Sequence, residues 1–312
     1  TDADAGRAVA AALDVPWHFV PSDGVRARRF FDSDARRDYW RFADGLCTIP
    51  NFQDYQALQD LRRIGALPDD AVIVNGQTGD FLSGGHILKT VAEGTTGADA
   101  LTAALIDKHF SLWRQLDSPA NRATLATRIS SKLDSVRPGF GGGGDVSWPD
   151  IMALCQFWEF DERQAKYVIN GQRIYEHLGL GWELPLWDYG LVTLFRDMPA
   201  ELKLGQRLYL ETLRNWNYRG LFAGHRRPAS SWPAGMVLQD NDNRLAAGAA
   251  AQQRFNRYAR WFGHYHHQYR EMTLPVFLRT AGDARNLLSL HARTWLAESG
   301  ASPSPFDLTE TS

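Results

Sequence analysis

The chain has 312 residues and a mass of 35.1 kDa, enough for one long domain or two smaller ones with a large core. Its formal net charge of −2 gives no electrostatic case for binding nucleic acid or an anionic membrane surface, both of which favour clustered positive charge. Two cysteines, Cys47 and Cys155, cannot form a disulfide framework or a cysteine-based zinc site, and no apolar run of about 18 residues predicts a transmembrane helix.

The first ninety residues predict alternating helices and strands. Residues 1–14 are rich in alanine and predict a helix, and residues 17–20 predict a short strand after it. Residues 31–66 carry a helical apolar pattern, interrupted twice, with Gly65 placed as a C-terminal cap. The β-branched run 72–74 predicts a strand at 71–75 that is buried on both faces. Together these elements indicate a parallel sheet with crossover helices.

The rest of the chain is predicted to be mostly helical. Residues 184–188 predict a rigid extended segment, and the glycine run at 138–145 favours a linker over a phosphate cradle. The histidines at 264–267 favour surface or packing roles over a metal site. The predicted helices are 100–135, 151–178, 189–196, 206–214 and 284–297.

The turn after the strand at 71–75 is the main candidate for chemistry. Gly76 and Gly79 allow the backbone to approach a ligand, and Asp80 follows them directly. A carboxylate beside backbone N–H groups is explained by a divalent cation shared with a phosphate. The alternative is a structural turn in which Asp80 caps the next helix.

Three segments in order resemble the motifs of one family. Residues 75–86, Asn-Gly-Gln-Thr-Gly-Asp-Phe-Leu-Ser-Gly-Gly-His, resemble the second nucleotide-site motif of asparagine synthase-like enzymes. Residues 184–188, Leu-Pro-Leu-Trp-Asp, are similar to that family's later Pro-Phe-Leu-Asp motif, and residues 198–203 to its Leu-Pro-x-Glu-x-Lys segment. The resemblance is greatest to members from surface-polysaccharide gene clusters, which lack a glutaminase domain.

The resemblance implies an α/β fold with a parallel sheet and crossover helices, of the adenine nucleotide alpha hydrolase-like (PP-loop) type, followed by a mostly helical C-terminal region. It implies a partial nucleotide-binding region at 1–90 and a helical region at 91–312 that completes the synthetase domain. The activity it implies is ATP-dependent adenylation of a carboxylate, then attack by ammonia or another amine, with Mg²⁺ at the phosphates.

The resemblance also assigns residues to the nucleotide site. The cofactor-binding positions are Gly76, Gly79, Asp80, Gly84 and Gly85, with Asp80 as the metal ligand. The glycines would let the backbone pass close to the adenylate, as glycine permits.

Other assigned positions depart from the family or have a second interpretation. Gln77 stands where the family has a carboxylate, and Arg207 aligns most nearly with the catalytic lysine but cannot donate a proton. Arg163 and Lys166 are candidate contacts for an anionic substrate, as is Arg173, although dense charge usually marks a solvated face. Asp188 matches the motif aspartate, which could instead cap the following helix.

The family's first motif, Ser-Gly-Gly-x-Asp-Ser, has no counterpart, and the chain is expected to start one and a half α/β units into the domain. This leaves two alternatives to the ligase: a degenerate homologue that acts as a binding or scaffold protein, and an ATP pyrophosphatase with another nucleotide chemistry. The expected partners of the ligase are a small-molecule carboxylate and ammonia or a separate glutaminase, with no nucleic acid and no membrane. A cytoplasmic protein is expected, and a homo-oligomer is left open.

Overall fold

The computed structural model describes residues 2–21, 24–43, 48–94, 97–138, 146–222, 283–285 and 287–300. Within these ranges helices predominate, and two strands form one small sheet. The histidines at 264–267 and most of the glycine run at 138–145 lie outside the described residues, and so do the predictions made for them. The α-helices are α1 (Asp2–Leu13), α2 (Gly24–Phe31), α3 (Asp34–Ala43), α4 (Tyr55–Arg63), α5 (Gly79–Leu82), α6 (Lys89–Ala92), α7 (Ala98–His109), α8 (Pro119–Val136), α9 (Trp148–Trp158), α10 (Ile174–His177), α11 (Tyr189–Asp197), α12 (Ala200–Lys203), α13 (Arg207–Trp216) and α14 (Leu287–Glu298).

The sheet pairs β1 (Val72–Val74) with β2 (Gly181–Glu183) in parallel, with Ile73 opposite Trp182. A parallel sheet is therefore confirmed in the described residues, whereas a full PP-loop α/β fold is not. The prediction of a strand buried on both faces is wrong, because Val72 is 55% exposed and Val74 is 68% exposed.

The predicted strand at 17–20 is also wrong. Residues 15–21 have no regular secondary structure, and Phe19 is exposed. The Trp17 ring lies against Gly6 of α1, where an added Cβ would be 2.9 Å from the ring. An aromatic and β-branched segment without a strand partner does not form a strand, because β-propensity depends on packing against neighbours.

The chain forms two compact units, each assembled from separate segments. The first consists of residues 1–38, 53–68 and 211–291, and the second of 39–52, 69–210 and 292–312. Residues on both sides of the predicted boundary at 90 thus belong to the second unit.

In the first unit, Arg26 of α2 holds Asp60 of α4 through two hydrogen bonds of 2.8 and 3.0 Å. Phe30 packs on Tyr55 with ring centroids 4.6 Å apart. Helix α4 ends where the sequence predicts, just before Gly65, which has a φ of 71°. Positive φ at this position suits glycine, which has no Cβ to clash.

The core of the second unit is built by α7, α8 and α9. Its buried side chains include Leu101, Leu105, Ile129, Leu133, Ile151 and Trp158. The predicted single helix at 100–135 is two helices, because Ser118 accepts a hydrogen bond from the Asn121 N–H as an N-cap, and Pro119 begins α8. Proline is well suited to the first turn of a helix, where its missing N–H is not needed.

After α9 the helix continues as the π-helical segment Glu159–Ile169. π-Helices are rare, usually one turn long, and frequently found at functional sites. This segment packs against α5, the short helix that follows the turn after β1. It therefore brings the charged residues of the sequence at 159–166 close to the main candidate turn.

Candidate functional site

The turn after β1 is fixed by Asn75. Its side-chain oxygen accepts a hydrogen bond from the Gln77 N–H at 2.8 Å, and its amide nitrogen donates to the Tyr175 hydroxyl at 2.7 Å. Thr78 then takes a φ of 76°, which is an outlier for a β-branched residue. Backbone strain of this kind is found at functional sites.

Two of the predicted glycines serve close packing. Gly84 has a φ of 89°, and an added Cβ would lie 2.2 Å from the Lys203 carbonyl oxygen. A Cβ on Gly85 would lie 3.0 Å from Gln206 Nε2, which donates to Ser83 Oγ at 2.5 Å. The residue pair Gly84-Gly85 is therefore required for contact with the segment around α12.

The three segments that carry the family resemblance meet at one edge of the sheet. Because β1 and β2 are parallel, the turn after β1 and residues 184–188 both leave from the carboxyl end of their strands. Leu186 lies 3.1 Å from the position of a Cβ on Gly79. The third segment joins them at Lys203, whose carbonyl oxygen would lie 2.2 Å from a Cβ on Gly84. In parallel sheets this edge is where ligands bind.

Asp80 is exposed in the first turn of α5. No group of three or more histidine, cysteine, aspartate or glutamate residues in the described parts of the chain is arranged to hold a metal ion. A lone carboxylate is still compatible with Mg²⁺, which is usually held by one or two carboxylates together with phosphate oxygens and water. Among the residues described, Gly76 has open space around it, since nothing lies within 4 Å of an added Cβ.

Asp188 acts as a helix cap. Its side-chain oxygen accepts a hydrogen bond from the Leu191 N–H at 3.0 Å, at the start of α11. The segment before it is not extended as predicted, because the Trp187 N–H donates to the Leu184 carbonyl at 2.9 Å and closes a turn. Of the two roles considered for Asp188 from the sequence, the structure therefore shows the helix cap.

We expect Asp188→Ala to lower the free energy of unfolding by about 1 kcal/mol, because it removes the N-cap of α11. Asp188→Ser keeps an acceptor for the Leu191 N–H and should be close to the wild type. Urea unfolding of both variants measures this difference. Equal losses of stability in the two variants would contradict the capping role.

Among the predicted cationic contacts, Arg163 is the one placed next to the turn. Its NH1 group lies 3.0 Å from His86 Nε2. Lys166 instead contacts Glu162 at 2.5 Å, and Arg173 contacts Glu176 at 3.0 Å. Arg207 is exposed at the start of α13. The described structure thus brings one of the three candidate substrate cations to the turn.

Lys203 is a buried cation that the sequence does not reveal. It is 4% exposed, donates to Gln156 Oε1 at 2.8 Å and to the Arg196 carbonyl at 3.2 Å, and lies over the Phe195 ring. Burial lowers the pKa of its ammonium group. The sequence places Lys203 in the segment 198–203 that resembles a family motif, but the order of residues in that segment does not show that the side chain is buried.

A buried ionic cluster lies beside the turn. Glu159 is 1% exposed, and its Oε1 contacts Lys108 Nζ and lies 3.0 Å from His109 Nε2. Lys108 also donates to the His86 carbonyl at 2.9 Å, which ties α7 to the end of the turn. Burial alone would raise the pKa of Glu159, but the contact with His109 and the charge of Lys108 outweigh it and lower the pKa to about 2.

The cluster also fixes the state of His86. Guanidinium only donates hydrogen bonds, so Nε2 of His86 must accept from Arg163 and its ring must be neutral. Burial lowers the pKa of His86, the charge of Arg163 acts in the same direction, and the value falls to about 4. Lys108 lowers it further, while Glu159 and Asp80 oppose the shift.

We expect the stability of the wild type to fall as the pH drops from about 6.5 to about 4. The folded state keeps His86 neutral while the unfolded chain takes up a proton, so its contribution is complete above pH 6.5 and is lost toward pH 4. The loss should be about 2 kcal/mol. Urea unfolding at pH 7 and pH 4.5 measures it.

The control for this prediction is His86→Gln, which keeps an acceptor for Arg163 but does not titrate. Its stability should change less between the two pH values than that of the wild type. An identical pH dependence in both proteins would show that His86 is not the titrating group.

Sequence reasoning missed His86 as an interacting residue, together with the partners of Glu159. Lys108 and His109 are neighbours in α7, and Glu159 is 51 residues after Lys108 in the chain. No local pattern links them. The available signal was the position of His86 directly after Gly84-Gly85, at the end of the candidate turn.

Comparison with protein-family models, with curated proteins and with solved structures gave no match. In the ranges that the structure describes, no helix combines the length and apolar character needed to cross a membrane.

Proposed function

We propose that this chain is part of an ATP-dependent, amide-forming ligase of the asparagine synthase type. Such an enzyme adenylates a carboxylate and releases pyrophosphate, after which ammonia or another amine attacks the acyl-adenylate. The observation that supports this proposal is the meeting of residues 75–86, 184–188 and 198–203 at the carboxyl edge of a parallel sheet. Nucleotide sites of α/β proteins lie at that edge.

The turn after β1 offers suitable features for a nucleotide. The open backbone at Gly76 permits close approach of a ligand, and Gln77 and Thr78 have polar side-chain atoms that are buried. Asp80 is the residue that would hold Mg²⁺, whose role is to neutralise charge on the phosphates. Arg207 follows the third segment, at the start of α13, and an exposed guanidinium can bind phosphate oxygens.

For the acyl substrate we propose a small-molecule carboxylate. Arg163 is the cation that borders the turn, and its contact with His86 fixes its orientation. A fixed guanidinium binds a carboxylate through two parallel hydrogen bonds. Ammonia or a separate glutaminase would supply the nitrogen, in surface-polysaccharide or amino-acid biosynthesis, and we propose a cytoplasmic location.

A second candidate is a degenerate homologue that acts as a binding or scaffold protein. It is favoured by the structural use of motif residues: Gly84 is required for packing against Lys203, and Asp188 caps α11. Arg207 in place of a lysine also removes a proton donor. Both functions share the same fold, so only an activity measurement separates them.

The experiment is an ATP–pyrophosphate exchange assay of the full-length protein with Mg²⁺ and a panel of small carboxylic acids. The ligase predicts exchange that depends on one class of acid and is lost without Mg²⁺. The scaffold predicts no exchange with any acid. Failure of exchange together with failure to bind Mg·ATP would refute the ligase.

A further inference from the structure

Arg163 is a part-buried cation that forms no ion pair with a carboxylate in the described parts of the chain. Its guanidinium contacts two uncharged groups instead. Nη1 donates to His86 Nε2 at 3.0 Å, and Cζ lies over the Tyr167 ring, 5.9 Å from the ring centroid. Both contacts orient the guanidinium, but neither supplies a negative charge to balance it.

The lysines in and beside the π-helical segment are different, because each of them contacts one of its carboxylates. The pairs are Lys108–Glu159, Lys132–Asp161, Lys132–Glu162 and Lys166–Glu162. Cations that are partly removed from water are normally paired in this way, since the desolvation of an unpaired charge is costly. An oriented guanidinium without a counter-charge therefore indicates a site for a separate anion.

A closed ring of contacts holds Arg163 in place. Lys108 Nζ contacts Glu159 Oε1 and donates to the His86 carbonyl oxygen at 2.9 Å. The His86 ring accepts from Arg163, which lies on the same π-helical segment as Glu159. The ring joins α7, the end of the turn and the π-helical segment. Lys108 therefore fixes the backbone of His86, and His86 fixes the guanidinium.

The charges around His86 decide which anion fits. Lys108 and Glu159 balance each other as an ion pair, so Arg163 leaves one positive charge unbalanced. A second carboxylate, that of Asp80, also acts on His86, but it is exposed and forms no ion pair with Arg163. It repels a second negative charge on a ligand at this place. The parallel N–H groups of a guanidinium also match the two oxygens of a carboxylate.

We propose that Arg163 binds one carboxylate group through two hydrogen bonds, that His86 and Lys108 are the positioning residues for this contact, and that the site selects one negative charge over two. Such a site distinguishes an acyl carboxylate from a phosphate group. The identification of this carboxylate with the acyl substrate rests on the proposed function. The anion site itself is defined by its own contacts and binds without ATP.

The first test is saturation-transfer NMR with propionate at neutral pH, without ATP or Mg²⁺. The wild type should bind propionate with a millimolar dissociation constant, and Arg163→Met should bind it at least about tenfold more weakly. Arg173→Met is the matched control, because the guanidinium of Arg173 also lies over an aromatic ring but is paired with Glu176. It should bind like the wild type. No binding by the wild type, or the same affinity in both variants, would overturn the proposal.

The second test separates positioning from stability. His86→Gln keeps an acceptor for Arg163 and should keep most of the affinity for propionate, whereas His86→Leu removes the acceptor and should weaken binding about tenfold. Lys108→Met/Glu159→Leu removes the contact with the His86 carbonyl without leaving a buried charge unpaired. It should stay folded, as thermal unfolding will show, and should bind propionate about threefold more weakly or worse. Unchanged affinity in either folded variant would overturn the positioning role of the residue it removes.

The third test is the displacement of propionate by other anions at constant ionic strength. Acetate carries one negative charge and should displace propionate at similar concentrations. Sulfate carries two and should require a concentration at least about tenfold higher. Equal displacement by the two anions would overturn the selectivity for a single negative charge.

These outcomes are separable from those of the exchange assay. A protein that binds propionate at Arg163 but catalyses no exchange with any acid would refute the ligase and support the anion site. Exchange without propionate binding that depends on Arg163 would refute the anion site alone.

Discussion

Gly84→Ala is expected to lower the free energy of unfolding by about 3–5 kcal/mol. Two costs combine at this residue. An L side chain is strained at a φ of 89°, and the new Cβ would lie 2.2 Å from the Lys203 carbonyl oxygen. A backbone oxygen cannot move aside as the end of a flexible side chain can, so the turn and α12 would have to separate. Urea or thermal unfolding measures the loss.

Gly94→Ala is the matched control, because Gly94 has the same φ of 89° and nothing within 4 Å of an added Cβ. It should cost about 1 kcal/mol, which is the strain of the backbone conformation alone. The difference between the variants isolates the close approach of Gly84 to Lys203. Equal costs would mean that the two segments are not in contact.

Glu159→Gln is expected to cost about 3 kcal/mol, because it leaves Lys108 facing a neutral amide in a buried site. The side chain of Glu159 is 2% exposed and that of Lys108 is 25% exposed. The loss should be seen at neutral pH and should shrink in strong acid. The folded pKa lies below the unfolded value, so the contribution of Glu159 is complete above pH 4.5 and is lost as the pH falls toward 2.

Two further variants test this account. The double variant Lys108→Met/Glu159→Leu removes both charges and should recover most of the loss, since apolar pairs replace buried ion pairs well. Asp197→Asn removes an exposed partner of Arg196 and should leave stability unchanged. A double variant no more stable than Glu159→Gln would indicate that the charge of Glu159 is not the cause.

Local signals explain which parts of the fold could be predicted. Helix α1, helix α11 and the strand at 72–74 follow from apolar spacing and from the residues that start and end them. The end of α4 follows from Gly65, because a positive φ is most easily adopted by glycine. These features depend on residues close together in the chain.

The parts that could not be predicted depend on distant partners. Strand β2 has three residues, Gly181–Glu183, and is a strand because β1 lies beside it. The prediction at 17–20 fails for the opposite reason, since no strand lies beside it among the described residues. The exposure of β1 likewise depends on what covers the sheet, which the sequence of the strand does not specify.

The candidate site shows the same division. Motif order identifies the turn at 75–86, and the parallel pairing of β1 with β2 explains why residues 184–188 join it. Spacing could not show that Lys203 is buried while Arg207 is exposed, or that Lys108 and Glu159 form an ion pair. Burial and ion pairing arise from packing between segments, and so they require the structure.

The most direct test of the nucleotide site is calorimetric titration of the full-length protein with Mg·ATP. The wild type should bind, and Asp80→Asn should bind at least about tenfold more weakly, because it removes the carboxylate assigned to Mg²⁺. Asp99→Asn, which alters an exposed carboxylate in the first turn of α7, should bind like the wild type. Unchanged affinity in Asp80→Asn, or no binding by the wild type, would contradict the nucleotide site proposed for the turn after β1.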